Sequence, residues 1–373
     1  MSITIRTVSG KADKNRFIKL QWKFYRNDRN WAPPLLMDRR KLLNTEKNPF
    51  FKHADVELFI AERDGEPVGR IAAIVNRRHN EIHHDKVGFF GFFECIDHQE
   101  TANALFDAAA QWLRGKGMDT MRGPLNPSIN DEIGMLVHGF DMPPVILMTY
   151  NPRYYPLLVE GYGFKKEKDL FAYLLRNELT VTPKLERGQK LVRERYNITI
   201  RDLDFKNLER DVVVLKDLYN RSWEKNWGAV AMTDEEFDFL AKDLVQVVGK
   251  FKDLVFITER DGEPIGFALC LPDLNQVLIH NKGGGLLGAA FHMMTKTKKI
   301  DLVRIIVLGV LPEHRNKGID SVMYYEIVNR AADHGIYLGE ASWVLEDNAP
   351  MNKGAKLMNA EQYKTYRIYD TAI

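Results

Sequence analysis

The sequence predicts a mixed α/β fold in two tandem copies, and three observations carry that expectation. First, Glu62-Arg-Asp-Gly-Glu-Pro-Val-Gly69 returns 197 residues later as Glu259-Arg-Asp-Gly-Glu-Pro-Ile-Gly266, identical at all but one position. Second, the second half reads strand, helices, three strands, helix, strand, helix, strand, an order that suits a mixed sheet and not a doubly wound parallel one. Third, Arg304-Ile-Ile-Val-Leu-Gly-Val-Leu-Pro-Glu-His-Arg-Asn-Lys-Gly-Ile-Asp320 reads as a buried strand that Pro312 and Gly318 turn directly into a helix.

A chain of 373 residues exceeds what one core fills, so two domains are expected. Its 53 Lys and Arg against 51 Asp and Glu leave a net charge of +2, which argues against a nucleic-acid coat or an acidic tail. Any anion site is therefore local. Cys95 and Cys270 stand in apolar strand contexts with no C-x-x-C spacing, and are expected as buried structural thiols. Residues 1–14 have no apolar core of a secretory signal, and the apolar run 286–294 is too short to span a bilayer. A cytoplasmic location without a membrane span is the expectation.

In chain order, helical periodicity covers 15–26, and a basic helix near 35–43 follows Asn30-Trp-Ala-Pro-Pro34. Lys47-Asn-Pro-Phe-Phe51 reads as an aromatic anchor for these helices. Strands at 56–61 and 68–75 flank the hairpin signal Asp64-Gly65. His79, His83 and His84 lie in a polar connection read as a solvated hairpin end, and no metal site is expected. Strand 87–96 and helix 100–113 meet at Cys95-Ile-Asp-His-Gln-Glu-Thr101, which has two carboxylates, no glycine, and no aptitude for phosphate. The turn-rich stretch 122–144 is long for a loop, and its Asn126, Asn130, Asp131 and Glu132 either bind substrate or cap turns. Asn151 opens a short helix, as Asn348 does at the same offset of 197, and a strand at 169–175 closes the copy.

Charge rises and apolar periodicity weakens over 179–196, read as a linker between domains 1–178 and 197–373. The second copy opens with strand 198–201 and an amphipathic helix at 208–226. Trp223 and Trp227 either share a buried face of that helix or clamp a substrate. Thr233-Asp-Glu-Glu236 is a capping box. The second hairpin occupies 254–258 and 265–271, and 277–280 reads as a further strand. Asn281-Lys-Gly-Gly-Gly285 then opens the apolar insertion 286–294, either a hinged lid or a packed surface helix. After the central strand come a helix at 320–334, strand 338–344, Glu346-Asp-Asn348, a short helix to 358 and strand 363–369.

The turn in Arg304–Asp320 has the outline of a phosphate cradle: clustered backbone N–H groups, Arg315 and Lys317, and the positive end of a helix. Here the chain resembles the GNAT superfamily of acyl-CoA-dependent N-acyltransferases, whose motif V-x-P-x-x-R/Q-x-x-G-x-G/A is matched by Val310, Pro312, Arg315 and Gly318. The resemblance implies two tandem GNAT-like domains, each a mixed, mostly antiparallel central sheet flanked by helices, the first a degenerate copy. It implies that N–H groups along Arg315, Asn316, Lys317, Gly318, Ile319 and Asp320 hold a CoA pyrophosphate. Val310 and Leu311 would pair with the pantetheine arm, Asn348 would touch the cofactor, and Gly309 would supply the bulge that splays the central strands. The donor it implies is acetyl-CoA or another acyl-CoA, and the acceptor a small-molecule or peptide amine.

Direct attack of an amine on a thioester requires a base, an oxyanion donor and a departing thiolate. A main-chain N–H near Val310 suits the oxyanion, Glu340 and Glu346 are the candidate bases, and Tyr363 or Tyr366 either donates a proton or packs. The expected acceptor contacts are Asn130, Asp131, Glu132 and Trp227. Two positions depart from the family pattern: Asp320 replaces a small residue, and Ala355 stands where many members place a tyrosine acid. These departures motivate a second reading as a non-catalytic acyl-CoA binder or interaction protein. A third, an aminoacyl or peptidyl transferase using charged tRNA, is opposed by the near-neutral charge.

Overall fold

The computed structural model describes residues 3–223, 226–249 and 251–373, with backbone alone at 243–246. The chain forms two compact units, Met1–Leu170 with Asn275–Lys296 and Lys364–Ile373, and Phe171–Leu274 with Thr297–Tyr363. The sequence boundaries at 178 and 197 follow the repeat; the compact units follow the packing, and each includes a strand segment from the other half of the chain.

In the first unit β1 (Ile3–Thr7), β2 (Ala54–Arg63), β3 (Glu66–Asn76) and β4 (Val87–Cys95) pair antiparallel in order. β5 (Thr120–Gly123) then runs parallel to β4 over Val87–Phe89 only. β6 (Leu125–Asn126) and β7 (Glu132–Ile133) make a small ribbon, followed by β8 (Met135–His138), and β9 (Lys165–Arg176) runs from the first unit into the second after Leu170.

The second unit repeats the plan with β10 (Ile198–Asp202), β11 (Val255–Arg260), β12 (Glu263–Pro272), β13 (Leu302–Val310) and β14 (Leu338–Leu345). The last strand, β15 (Glu361–Ala372), crosses the division at 363, and its outer part pairs with β5, Tyr369 opposite Gly123, in the first unit.

The repeated octapeptide folds alike in both copies. Asp64-Gly65 and Asp261-Gly262 all take positive φ, the requirement of a two-residue hairpin turn whose twist matches its strands. A register shift follows Ala61 in one hairpin and Thr258 in the other, the same place in the repeat. Each copy then packs a helix on its sheet. Helix Gln99–Gly115 buries Ala102, Leu105, Phe106, Ala109 and Leu113 at helical spacing, and helix Ile319–Asp333 buries Ile319, Val322, Met323 and Ile327 likewise. Both cysteines are buried and unbridged. Among the described residues no helix is long and apolar enough to cross a membrane.

Three local expectations are corrected. The stretch read as a linker contains helix Pro183–Tyr196, capped by Thr182 Oγ1 accepting the Leu185 N–H at 3.2 Å. Its charged outer face masked the periodicity. Residues 277–280, read as a strand, are instead the end of a helical turn, Asn275–Leu278, and the turn that follows it, after the Asp273 N–H bonds the Leu302 carbonyl. His79 is not solvated: it lies in helix Arg77–His83, buried edge-on against Phe89. Burial pulls its pKa down to about 4, against the opposing charge of Asp85.

Candidate functional site

The central strands of the second unit part company. β13 and β14 pair in parallel only from Leu302–Ile305 against Leu338–Ala341. On its other edge β13 stays paired with β12, but the register slips so that Val307 faces Leu269 and Ile305 faces Cys270, leaving Ile306 as the extra residue. That bulge increases local twist and bends β13 away from β14. The bulge was expected at Gly309, which instead pairs in register with Phe267. Gly309 makes room for an aromatic ring instead, since a Cβ there would stand 2.5 Å from the Trp223 ring that packs over the strand.

The Leu311 N–H bonds Ile265 O at 2.9 Å, so it is committed to the sheet. Alternation along the strand then turns the Val310 N–H and C=O toward the edge that β14 has left. The Val310 carbonyl is taken by Arg315 Nε at 3.0 Å, and Arg315 Nη2 donates to Ser222 O at 2.5 Å. Arg315 is thus a strut that ties the loop to the strand and to the helix Leu208–Trp223. Lys317 Nζ similarly donates to Glu313 O at 2.8 Å.

Between strand and helix the backbone takes a tight turn at Pro312–His314, then left-handed conformations at Asn316 (φ 61°) and Gly318 (φ 75°). Among the described residues the N–H groups of Asn316, Lys317, Gly318 and Ile319 make no main-chain hydrogen bond. They cluster at the positive end of helix Ile319–Asp333, a geometry that fits a phosphate-bearing group. Burial lowers the His314 pKa beside this turn, and the Lys317 charge lowers it further against the opposing charge of Glu313. Gly318 is closely seated, since a Cβ would lie 3.2 Å from Val192 Cγ2 of helix Pro183–Tyr196.

Asp320 is the exception in this turn. Its carboxyl lies at the helix start, where surrounding protein raises its pKa while the N–H groups of Ser321 and Asp320 favour its charged form. An anion entering the turn would meet this carboxylate as a competitor for the same donors.

Where β13 and β14 part, Arg304 faces Glu340 in register. Glu340 is fully buried. Ser342 Oγ donates to its Oε1 at 2.6 Å, the Tyr363 hydroxyl donates to its Oε2, and Arg304 Nε stands 3.9 Å away. Arg304 Nε also donates to Ser342 Oγ at 3.1 Å, and the guanidinium lies 4.9 Å from the Trp343 ring centroid. The sequence alone names Glu340 and Tyr363 without connecting them, and it misses Arg304 and Ser342. The period-two alternation of 340 and 342, with Arg304 on the neighbouring strand, was the available signal.

Glu346 is half-buried just past the end of β14. Asn348 Oδ1 accepts the Met351 N–H at 3.2 Å and caps helix Ala349–Leu357, in which Ala355 is buried. Trp227 lies in a turn beyond the helix that ends at Trp223, so the two tryptophans do not share a helix face. Asn130, Asp131 and Glu132 belong to the first unit. There Ser128 Oγ donates to Asp131 at 2.5 Å and accepts the Asn130 N–H at 3.2 Å, while Glu132 pairs with Arg39 at 2.5 Å.

The first copy shows what the same strands look like without a cradle. β4 bulges near Phe92, whose N–H is taken by Asn126 Oδ1 at 2.6 Å. At the following turn His98 caps the helix, its side chain accepting from Thr101. At this strand and turn the Phe92, His98 and Thr101 N–H groups have partners from the chain itself.

Comparison with known proteins agrees with this geometry. The description "Acetyltransferase (GNAT) family" matches residues 212–354. A bacterial ceramide synthase of Caulobacter vibrioides is 35% identical over 100% of this chain and 98% of its own. Protein YghO of Escherichia coli is 32% identical over 99% of this chain and 95% of its own. A tandem GNAT protein from the clavulanic acid biosynthesis pathway shares the fold at a TM-score of 0.58 with 11% identity, covering 100% of this chain and 98% of its own. The splayed strands, the turn on a helix N-terminus and these full-length matches together establish that the chain belongs to the GNAT superfamily of acyltransferases, as a tandem member.

Proposed function

We propose that the chain is an acyl-CoA-dependent N-acyltransferase that forms an amide on the amine of a long-chain amino alcohol. The observation that carries the amide-forming half is the opened edge of β13 beside the Asn316–Asp320 turn. One end of an extended donor would lie along the strand and its pyrophosphate against the turn. The acceptor class comes from the full-length similarity to a ceramide synthase, since a ceramide is the amide of a long-chain amino alcohol.

Acyl-CoA supplies an activated thioester, and the chain's own residues supply the rest. The Val310 N–H, turned to the open edge, is the oxyanion donor in this reading. Glu346, half-buried at the open end, is the carboxylate accessible to an amine. Glu340, locked between Ser342, Tyr363 and Arg304, holds the fork in shape and is a positioning residue. Ala355 cannot donate a proton, so protonation of the departing thiolate falls to solvent or to another group.

The test is thiol release with acetyl-CoA and with long-chain acyl-CoA, each offered a long-chain amino alcohol and a panel of short amines. Amide formation with the long-chain acceptor supports the reading, and Glu346→Gln should lower kcat at least tenfold while CoA affinity holds. CoA binding without turnover on any acceptor would establish the non-catalytic alternative that Ala355 motivates.

A further inference from the structure

Between Asp273 and Asp301 the chain carries no carboxylate but four lysines, Lys282, Lys296, Lys298 and Lys299. In a chain of net charge +2 this is a local concentration of positive charge. At its centre lies helix Leu286–Lys296, in which Ala289 is the buried residue. Leu286, Leu287, Phe291 and Met294 are 52%, 90%, 62% and 88% exposed. Leu287, Phe291 and Met294 are spaced four and three apart, so their side chains line one stripe of the helix. Apolar residues exposed singly are ordinary, whereas a continuous stripe marks an interaction surface.

The helix is fastened by its entering turn and not by this stripe. Trp22 Nε1 donates to Lys282 O at 2.9 Å, the Leu36 N–H donates to Gly284 O at 2.9 Å, and Asn281 Nδ2 donates to Gly285 O at 3.0 Å. Gly284 has φ 63°, and a Cβ there would come within 2.6 Å of the Trp22 ring, so the turn sits hard against the first helix of the unit. This insertion has no counterpart in the first copy, where Asn76 leads through helix Arg77–His83 directly to β4.

We propose that this stripe docks the protein on an anionic phospholipid surface. Leucine, phenylalanine and methionine side chains enter the boundary of the acyl region, while the ammonium groups of the segment meet lipid phosphates. The segment is too short to span, so it lies in the interface plane. Charge decides against a second copy: stripe against stripe would place the same lysines together with no carboxylate in the segment to receive them. The surface is read by binding alone and stands apart from the acyltransfer reading.

The experiment is flotation of the full chain with phosphatidylcholine vesicles, with and without phosphatidylglycerol, at low and high salt. The expected result is flotation with the anionic vesicles that weakens with salt. Leu287→Ser/Phe291→Ser/Met294→Ser, all exposed positions, should keep the native circular dichroism and melting profile and lose at least tenfold in vesicle affinity. Lys296→Gln/Lys298→Gln/Lys299→Gln should weaken binding about fivefold per lysine. The proposal is overturned if the native chain does not float with anionic vesicles, or if the serine variant floats as well as the native chain. It is also overturned if light scattering finds a dimer that the serine variant dissolves while vesicles bind neither.

Discussion

The two copies differ in chemistry at one pair of facing positions. Arg70 faces Glu94 in the first copy, and the repeat places Phe267 facing Gly309 in the second. In the first, both charged side chains are buried. Arg70 Nη1 donates to Phe17 O at 2.6 Å, Arg70 Nη2 to Glu94 at 3.3 Å, and the Tyr155 hydroxyl to Glu94 at 2.7 Å. In the second, an aromatic side chain and a glycine leave room for Trp223. One copy spends its interior on a polar lock, and the other keeps a bare backbone edge open. Duplication supplied one fold twice, and the side chains at this facing pair differ between the copy with a polar lock and the copy with exposed main chain.

The largest effect should come from breaking the lock. Arg70→Met removes the partner of a fully buried carboxylate, whose pKa burial already raises against the Arg70 charge. The expected loss is about 3–5 kcal/mol in urea denaturation. Arg70→Met/Glu94→Leu should recover most of it, because removing both charges leaves none uncompensated. A double variant as unstable as the single would show that the two side chains act separately.

Next in size is the acid response of the first copy. His79 is buried neutral with its pKa near 4, below the unfolded value, so its contribution is present above about pH 6.5 and is lost as pH falls toward 4. Unfolding free energy should drop by on the order of 2–3 kcal/mol across that window. His79→Phe should flatten the profile, and an unchanged slope would place the acid sensitivity elsewhere.

Smallest is Asp320→Ala. Loss of one helix-terminal charge is worth about 0.3–1 kcal/mol, so CoA should bind roughly two- to fivefold tighter. Because the Asp320 pKa is raised, CoA affinity of the native chain should climb as pH falls toward the carboxylate range, and the alanine variant should lose that trend. A large loss of affinity in Asp320→Ala would mean the carboxylate serves the site.

Much of this was legible in the chain. Asp64-Gly65 and Asp261-Gly262 fix their hairpins because few residues accept positive φ, and Gly318 marks its turn for the same reason. Helices with an apolar stripe announced themselves. What stayed hidden was non-local. The bulge at Ile306 depends on register with β12, which no residue of β13 declares alone. Asn126 reaching Phe92 joins positions 34 apart, and the pairing of β15 with β5 joins positions about 250 apart. Arg304 and Ser342 look like ordinary strand residues until the Ser342 hydroxyl is seen to bridge Arg304 and Glu340.

The central claim is that the second copy alone presents a cradle. Calorimetric titration of CoA into the full chain tests it through stoichiometry. The account predicts one CoA per chain, with affinity at least tenfold weaker in Gly318→Ala, where φ 75° and the approach to Val192 penalise a side chain. Asn126→Ala, which frees the Phe92 N–H in the first copy, should leave the stoichiometry at one, because no phosphate turn follows that strand. Two sites per chain, or a single site untouched by Gly318→Ala, would contradict it.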